Sequence, residues 1–110
     1  MKVNDLVSLT HQTAKDKGWH DKARSVGEEI ALMHSELSEA LEEFRKGHLA
    51  DSVYYSAGSE KPEGVPVELA DCLIRIFDFC GKHQIDLEEI LNIKLKYNET
   101  RSYRHGDKVI

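Results

Sequence analysis

The 110-residue chain lacks most of what would place it in a membrane, in an oxidising compartment or on a nucleic acid. No apolar run approaches the roughly 20 residues that span a bilayer. The opening Met1-Lys2-Val3-Asn4-Asp5 carries no apolar segment of the secretory kind. Only two cysteines occur, Cys72 and Cys80. They lie eight positions apart on what reads as one helix, which separates their Cα atoms by about 12 Å, beyond disulfide reach. The expectation is a cytoplasmic protein with two buried free thiols. Basic residues form no block interleaved with aromatics, and the net charge is -5. Direct neutralisation of a nucleic-acid backbone is therefore excluded as a binding mode. An acidic chain that binds a polyanion needs a cation between the two. Strand signal is scarce as well: Val53-Tyr54-Tyr55 is the one clear β-prone cluster, short and flanked by serines.

What is present repeats with helical period. The length suits one domain over residues 1–110. A first helix is expected from about Asn4 to Lys17, with Leu6, Val7, Leu9 and Thr13 on its apolar stripe and Gly18 ending it. Ser25 followed by Glu28 is a capping box that opens a second helix, which runs to Lys46 before Gly47. Its predicted core positions are Ile30, Met33, Leu37, Ala40, Leu41 and Phe44. Residues 47–65 are rich in Ser, Gly and Pro and read as the only long irregular segment, a lid or an oligomer contact. A third helix starts at Pro66 and runs to about Gly81. It is apolar around most of its circumference, interrupted chiefly by Arg75 and Asp78. Asp86 with Glu89 opens a fourth, carried by Leu87, Ile90, Leu91, Ile93, Leu95 and Tyr97 to about Tyr103, with a polar tail from Arg104. The fold class is all-α, a four-helix bundle protomer. A helix apolar nearly all round must be covered, and a chain this small buries little surface. Assembly with a second subunit is therefore expected.

Two acidic pairs stand out. Glu36 and Glu39 lie one turn apart on the second helix, Glu68 and Asp71 one turn apart on the third. If those helices pack antiparallel, four carboxylates converge. Taken alone, Glu36/Glu39 reads as a solvated face, as do the neighbouring Glu42 and Glu43. Glu68 suits a helix N-terminus through the dipole, whereas Asp71 lies past the first turn. Carboxylates gathered without a counter-charge are costly, and a metal ion offsets that cost. All-oxygen donors suit Mg²⁺, with Mn²⁺ as the alternative. Di-iron bundles use Glu-x-x-His pairs, and no Glu here has His three residues on. On the fourth helix Lys94, Asn98 and Arg101 share a face and suit phosphate oxygens. Arg104, His105 and Lys108 follow. Trp19, the single tryptophan, is placed to stack on a base or to fill the core. His20-Asp21 lies in a turn, whereas a His-Asp metal centre needs further His and Asp ligands at helical positions, so no such centre is expected.

In that order and on those helices the motifs resemble the MazG-like all-α nucleotide pyrophosphohydrolases, which include dCTPase-like and dimeric dUTPase-like branches. The resemblance covers roughly residues 15–105. Glu36, Glu39, Glu68 and Asp71 match the family's Glu-x-x-Glu and Glu-x-x-Asp, and Lys94, Asn98 and Arg101 its Lys-x-x-x-Asn-x-x-Arg. It implies a homodimer or homotetramer, Mg²⁺ on the four acids and a nucleoside triphosphate substrate cut to monophosphate and pyrophosphate. Glu36 or Glu39 would serve as general base. It also implies phosphate binding by Lys94, Asn98 and Arg101, and base binding by Trp19 and His11. A non-catalytic oligomerising or nucleotide-sensing module is the competing reading. Hydrolysis of another pyrophosphate, such as a phosphoribosyl-ATP-like nucleotide, is a third. No nucleic-acid or membrane partner is expected.

Overall fold

A computed structural model describes residues 1–101. Among these, four helices form: α1 (Val3–Asp16), α2 (Val26–Arg45), α3 (Val65–Lys82) and α4 (Leu87–Glu99). No strand forms among them; the sole β element is an isolated antiparallel bridge between Tyr54 and Glu63. Among the described residues no helix is long and apolar enough to cross a membrane. The all-α expectation holds, and both capping signals are realised. Ser25 Oγ accepts from the Glu28 amide at 3.1 Å, and Asp86 Oδ1 accepts from the Glu89 amide at 3.1 Å. The fourth helix stops earlier than expected, at Glu99 with Thr100 as its C-cap. Tyr103 and the tail cations Arg104, His105 and Lys108 lie outside the described residues.

The central element is α3, packed on α2 along one side and on α1 along another, while α4 packs chiefly on α1. A Cβ on Gly81 would lie 2.5 Å from His11 Cβ, so only glycine lets α1 and the His11 ring approach α3 this closely. Asn4 ties α1 to the start of α4, its Nδ2 donating to Asp86 Oδ1 at 2.9 Å.

The long segment after α2 is pinned rather than loose. Tyr54 and Glu63 exchange backbone hydrogen bonds of 3.0 and 2.9 Å. The Tyr54 hydroxyl donates to Glu43 Oε2 at 2.7 Å, and the Tyr54 ring stacks on His48. Accepting that bond, the Glu43 carboxylate pushes the Tyr54 phenol up to about 12. Glu43, expected on a solvated face, is therefore buried and serves as the anchor of the loop. Gly64, at φ +127°, ends the segment where a Cβ would meet the Ser52 carbonyl oxygen at 2.2 Å.

The predicted core of α2 is largely uncovered in the protomer. Ala40 is buried, but Leu41 and Phe44 are 59% and 63% exposed, and Ile30 and Leu37 are exposed too. On α3, Leu69, Leu73 and Ile74 are exposed, as are Ile90, Ile93, Leu95 and Tyr97 on α4. The apolar periodicity marks faces that this arrangement leaves open, because α3 uses its contacts on α1 and α2 and α4 lies away from them.

Replacing Gly81 by alanine should destabilise the chain. The gain in helix propensity, at most about 1 kcal/mol, is smaller than the roughly 1–3 kcal/mol cost of overpacking against a neighbour's Cβ. A lowered denaturation midpoint at unchanged slope checks this.

Candidate metal and phosphate site

The antiparallel pairing of α2 and α3 is written in two ion pairs. Glu29 accepts from Lys82 Nζ, and Glu36 Oε1 accepts from Arg75 Nε at 2.8 Å. Seven residues forward along α2 correspond to seven back along α3, which is two turns on each helix. Three residues before Arg75 on α3, the Cys72 thiol points to the Met33 carbonyl at 3.5 Å. Cys72 and Cys80 are both free and buried, as expected.

This register brings Glu36 to the start of α3, where Glu68 and Asp71 lie one turn apart. Each of the three offers an oxygen, and these oxygens lie within 4.8 Å of one another. Glu39, expected in the same set, is exposed and stands outside it. It remains near enough to add to the negative field on Glu68.

Crowding shows in the acidities. Desolvation, a hydrogen bond shared with Glu36 and the negative charge of Asp71 push Glu68 up from 4.5 to about 7. Asp71 is raised by desolvation and by Glu36, with Arg75 and Lys61 opposing. Glu29 behaves otherwise: its partial burial acts upward, but hydrogen bonds from Lys82 and His83 outweigh that and hold it low. Three converging carboxylates, two of them with pKa values raised by desolvation and by their acidic neighbours, are a donor set that fits a hard divalent cation such as Mg²⁺ or Mn²⁺.

Two clefts meet beside these acids. One is lined by Trp19, Glu36, Asp71, Ile74 and Arg75. The other, open to solvent, carries four cations, Lys22, Arg24, Arg75 and Lys82, and two acids, Glu29 and Asp78, on its walls, with Trp19 and His20 beside them. Trp19 and Arg75 belong to both. Trp19 is thus a wall residue, 43% exposed, and not core. His11 lines neither cleft; its Nδ1 is hydrogen-bonded to Asp78 Oδ1 at 2.9 Å.

The predicted phosphate face is not assembled next to the acids within the protomer. It sits at the end of α4, which packs chiefly on α1. Lys94 Nζ lies 5.0 Å from the Tyr97 ring centroid and the Arg101 guanidinium 5.8 Å from it. Arg101 follows the C-cap, so the spacing that assumed one continuous helical face is broken there.

Sequence reasoning missed Arg75, Asp78, Lys82 and Glu29. A signal for them existed: Glu68, Asp71, Arg75, Asp78 and Lys82 recur at alternating three- and four-residue steps, a single polar stripe on an otherwise apolar helix.

No protein-family model, curated protein or solved structure matches this chain.

The raised pKa of Glu68 has a stability consequence. Its folded value lies above its unfolded one, so its stabilising effect is complete below about 4.5 and is lost as pH rises through about 7. The melting temperature of the metal-free protein should fall across that window. Glu68→Gln should flatten the fall, and Mg²⁺ should reverse it at the alkaline end. Thermal unfolding at a series of pH values, with and without Mg²⁺, measures all three.

Proposed function

We propose that the chain is a Mg²⁺-dependent nucleoside triphosphate pyrophosphohydrolase of the MazG-like kind, acting as a homodimer or homotetramer. One observation carries the reading: Glu36, Glu68 and Asp71, from two antiparallel helices, bring three oxygens within 4.8 Å of one another beside a cationic cleft. Acids able to hold a divalent ion next to cations able to hold phosphates make the pairing that phosphoryl transfer needs.

Glu36, Glu68 and Asp71 would hold the ion. When bound, Mg²⁺ supplies neutralisation of the triphosphate charge and orientation of the α-phosphorus. Glu39, exposed one turn from Glu36 and outside the ligand set, is free to accept the proton of the attacking water. Arg75, between the two clefts, can pass its guanidinium from Glu36 to a phosphate oxygen, with Lys22 and Arg24 further along the cleft. Trp19 presents an aromatic face to a base. The Nδ1 of His11 is engaged by Asp78, which leaves its Nε2 as the nitrogen it can offer to a nucleotide.

The open apolar faces of α2, α3 and α4 support assembly with a second copy of the chain. Such a copy would also be the route by which Lys94, Asn98 and Arg101 approach an acid cluster they do not border in their own protomer.

Nucleoside triphosphates with Mg²⁺ should yield the monophosphate and pyrophosphate. Asp71→Asn and Glu39→Gln should each lower kcat by about 100-fold or more while helical content is retained. Release of orthophosphate, or full activity in either variant, would overturn the reading. In sedimentation equilibrium the chain should run as a dimer or tetramer, and Leu41→Glu combined with Phe44→Glu should shift it toward monomer.

A further inference from the structure

A second cluster of metal-ligating side chains lies two turns further along α3 from Asp71, and the proposed reaction does not use it. Asp78 is only 9% exposed. Its Oδ1 meets His11 Nδ1 at 2.9 Å and His20 Nε2 at 2.8 Å. His11 comes from α1, His20 from the connection after it, and Asp78 from α3, so three separate segments converge on one oxygen. The two imidazoles meet edge to face, with centroids 5.2 Å apart. The nearest cations on α3 are committed elsewhere, Arg75 to Glu36 and Lys82 to Glu29. The buried carboxylate is thus compensated only by imidazoles, which carry no fixed charge at neutral pH.

We propose that His11, His20 and Asp78 form a binding site for a borderline transition-metal ion of the Zn²⁺ or Co²⁺ type, distinct from the acid cluster. The three ligand atoms already lie within 4.8 Å of one another. Ligands about 2.0–2.2 Å from a tetrahedral zinc sit roughly 3.3 Å apart, so each His–Asp contact needs to lengthen by only about half an ångström, with the two imidazole nitrogens already inside 4.8 Å of each other. Each neutral imidazole changes from donor toward Asp78 to ligand by moving its proton to the other ring nitrogen, which frees the lone pair of the nitrogen that faces Asp78. Two imidazoles and one carboxylate favour Zn²⁺ or Co²⁺ over Mg²⁺, whereas the all-oxygen set at Glu36, Glu68 and Asp71 has the reverse preference. Asp78 and His20 both border the cationic cleft, so the remaining coordination positions face water or an anion held there. Gly81, by admitting the His11 ring against α3, is what permits the third ligand to arrive.

The test is a Co²⁺ titration of the full chain in Mg²⁺-free buffer, followed by visible absorption. One equivalent should produce saturable ligand-field bands without a thiolate charge-transfer band, and Zn²⁺ should erase them. Asp78→Asn and His20→Gln should each weaken Co²⁺ binding by ten-fold or more, and Glu68→Gln should leave it unchanged. Helical content by circular dichroism accompanies each variant, and His20→Gln, in a connection rather than a helix, keeps the test open if Asp78→Asn unfolds. Absent bands, a thiolate band from Cys72 or Cys80, or bands that survive His20→Gln and vanish in Glu68→Gln would each overturn the proposal. Mg²⁺-dependent turnover reports on the other site, so either inference can fail alone.

Discussion

The register between α2 and α3 is the constraint on which the rest depends. Glu29 with Lys82 and Glu36 with Arg75 pair two helical turns apart, and both helices run that distance in opposite senses. A pair at a half-buried helix interface cannot slide by one residue without leaving a carboxylate unpaired, which costs more than the pair contributes. Once that register holds, the place of every other polar group on α3 follows. Glu68 and Asp71 must lie beside Glu36, and Asp78 must fall on the side where α1 brings His11.

The same constraint concentrates charge at the head of α3. Lys82 and Arg75 answer the acids lower on α2, but Glu68 and Asp71 add two carboxylates whose nearby cations, Arg75 and Lys61, do not offset the crowding. The outcome is visible in opposite responses to partial burial: Glu29, with two donors, is held low, while Glu68, with acidic neighbours, is driven to about 7. A site that resists ionisation without a cation is one that rewards binding it, and this is the physical basis of the proposed metal dependence.

The apolar surface tells a parallel story. Helix α4 leans on α1 and not on the α2/α3 pair. Leu41, Phe44, Leu69 and Leu73 therefore remain open although their spacing is that of core residues. Periodicity reports that a face is to be covered; it does not report by which chain. The buried Glu43 makes the complementary point, since a residue in a run of acids became the anchor for Tyr54 only because the segment between α2 and α3 folds back over it.

Much was legible from the sequence alone. Helical period, the boxes at Ser25 and Asp86, and the breakers at Gly18 and Gly47 determined four helices and their approximate limits, because these signals act within a few residues of chain. Spacing by three likewise determined that Glu68 and Asp71 share a face. Tertiary structure decided which acids meet, leaving Glu39 outside and drawing Glu36 in. It also decided that Lys94, Asn98 and Arg101 are not beside them in the protomer and that His11 and His20 share Asp78. Those outcomes depend on the relative placement of helices, which is set by side-chain packing between segments far apart in sequence, and no local pattern encodes it.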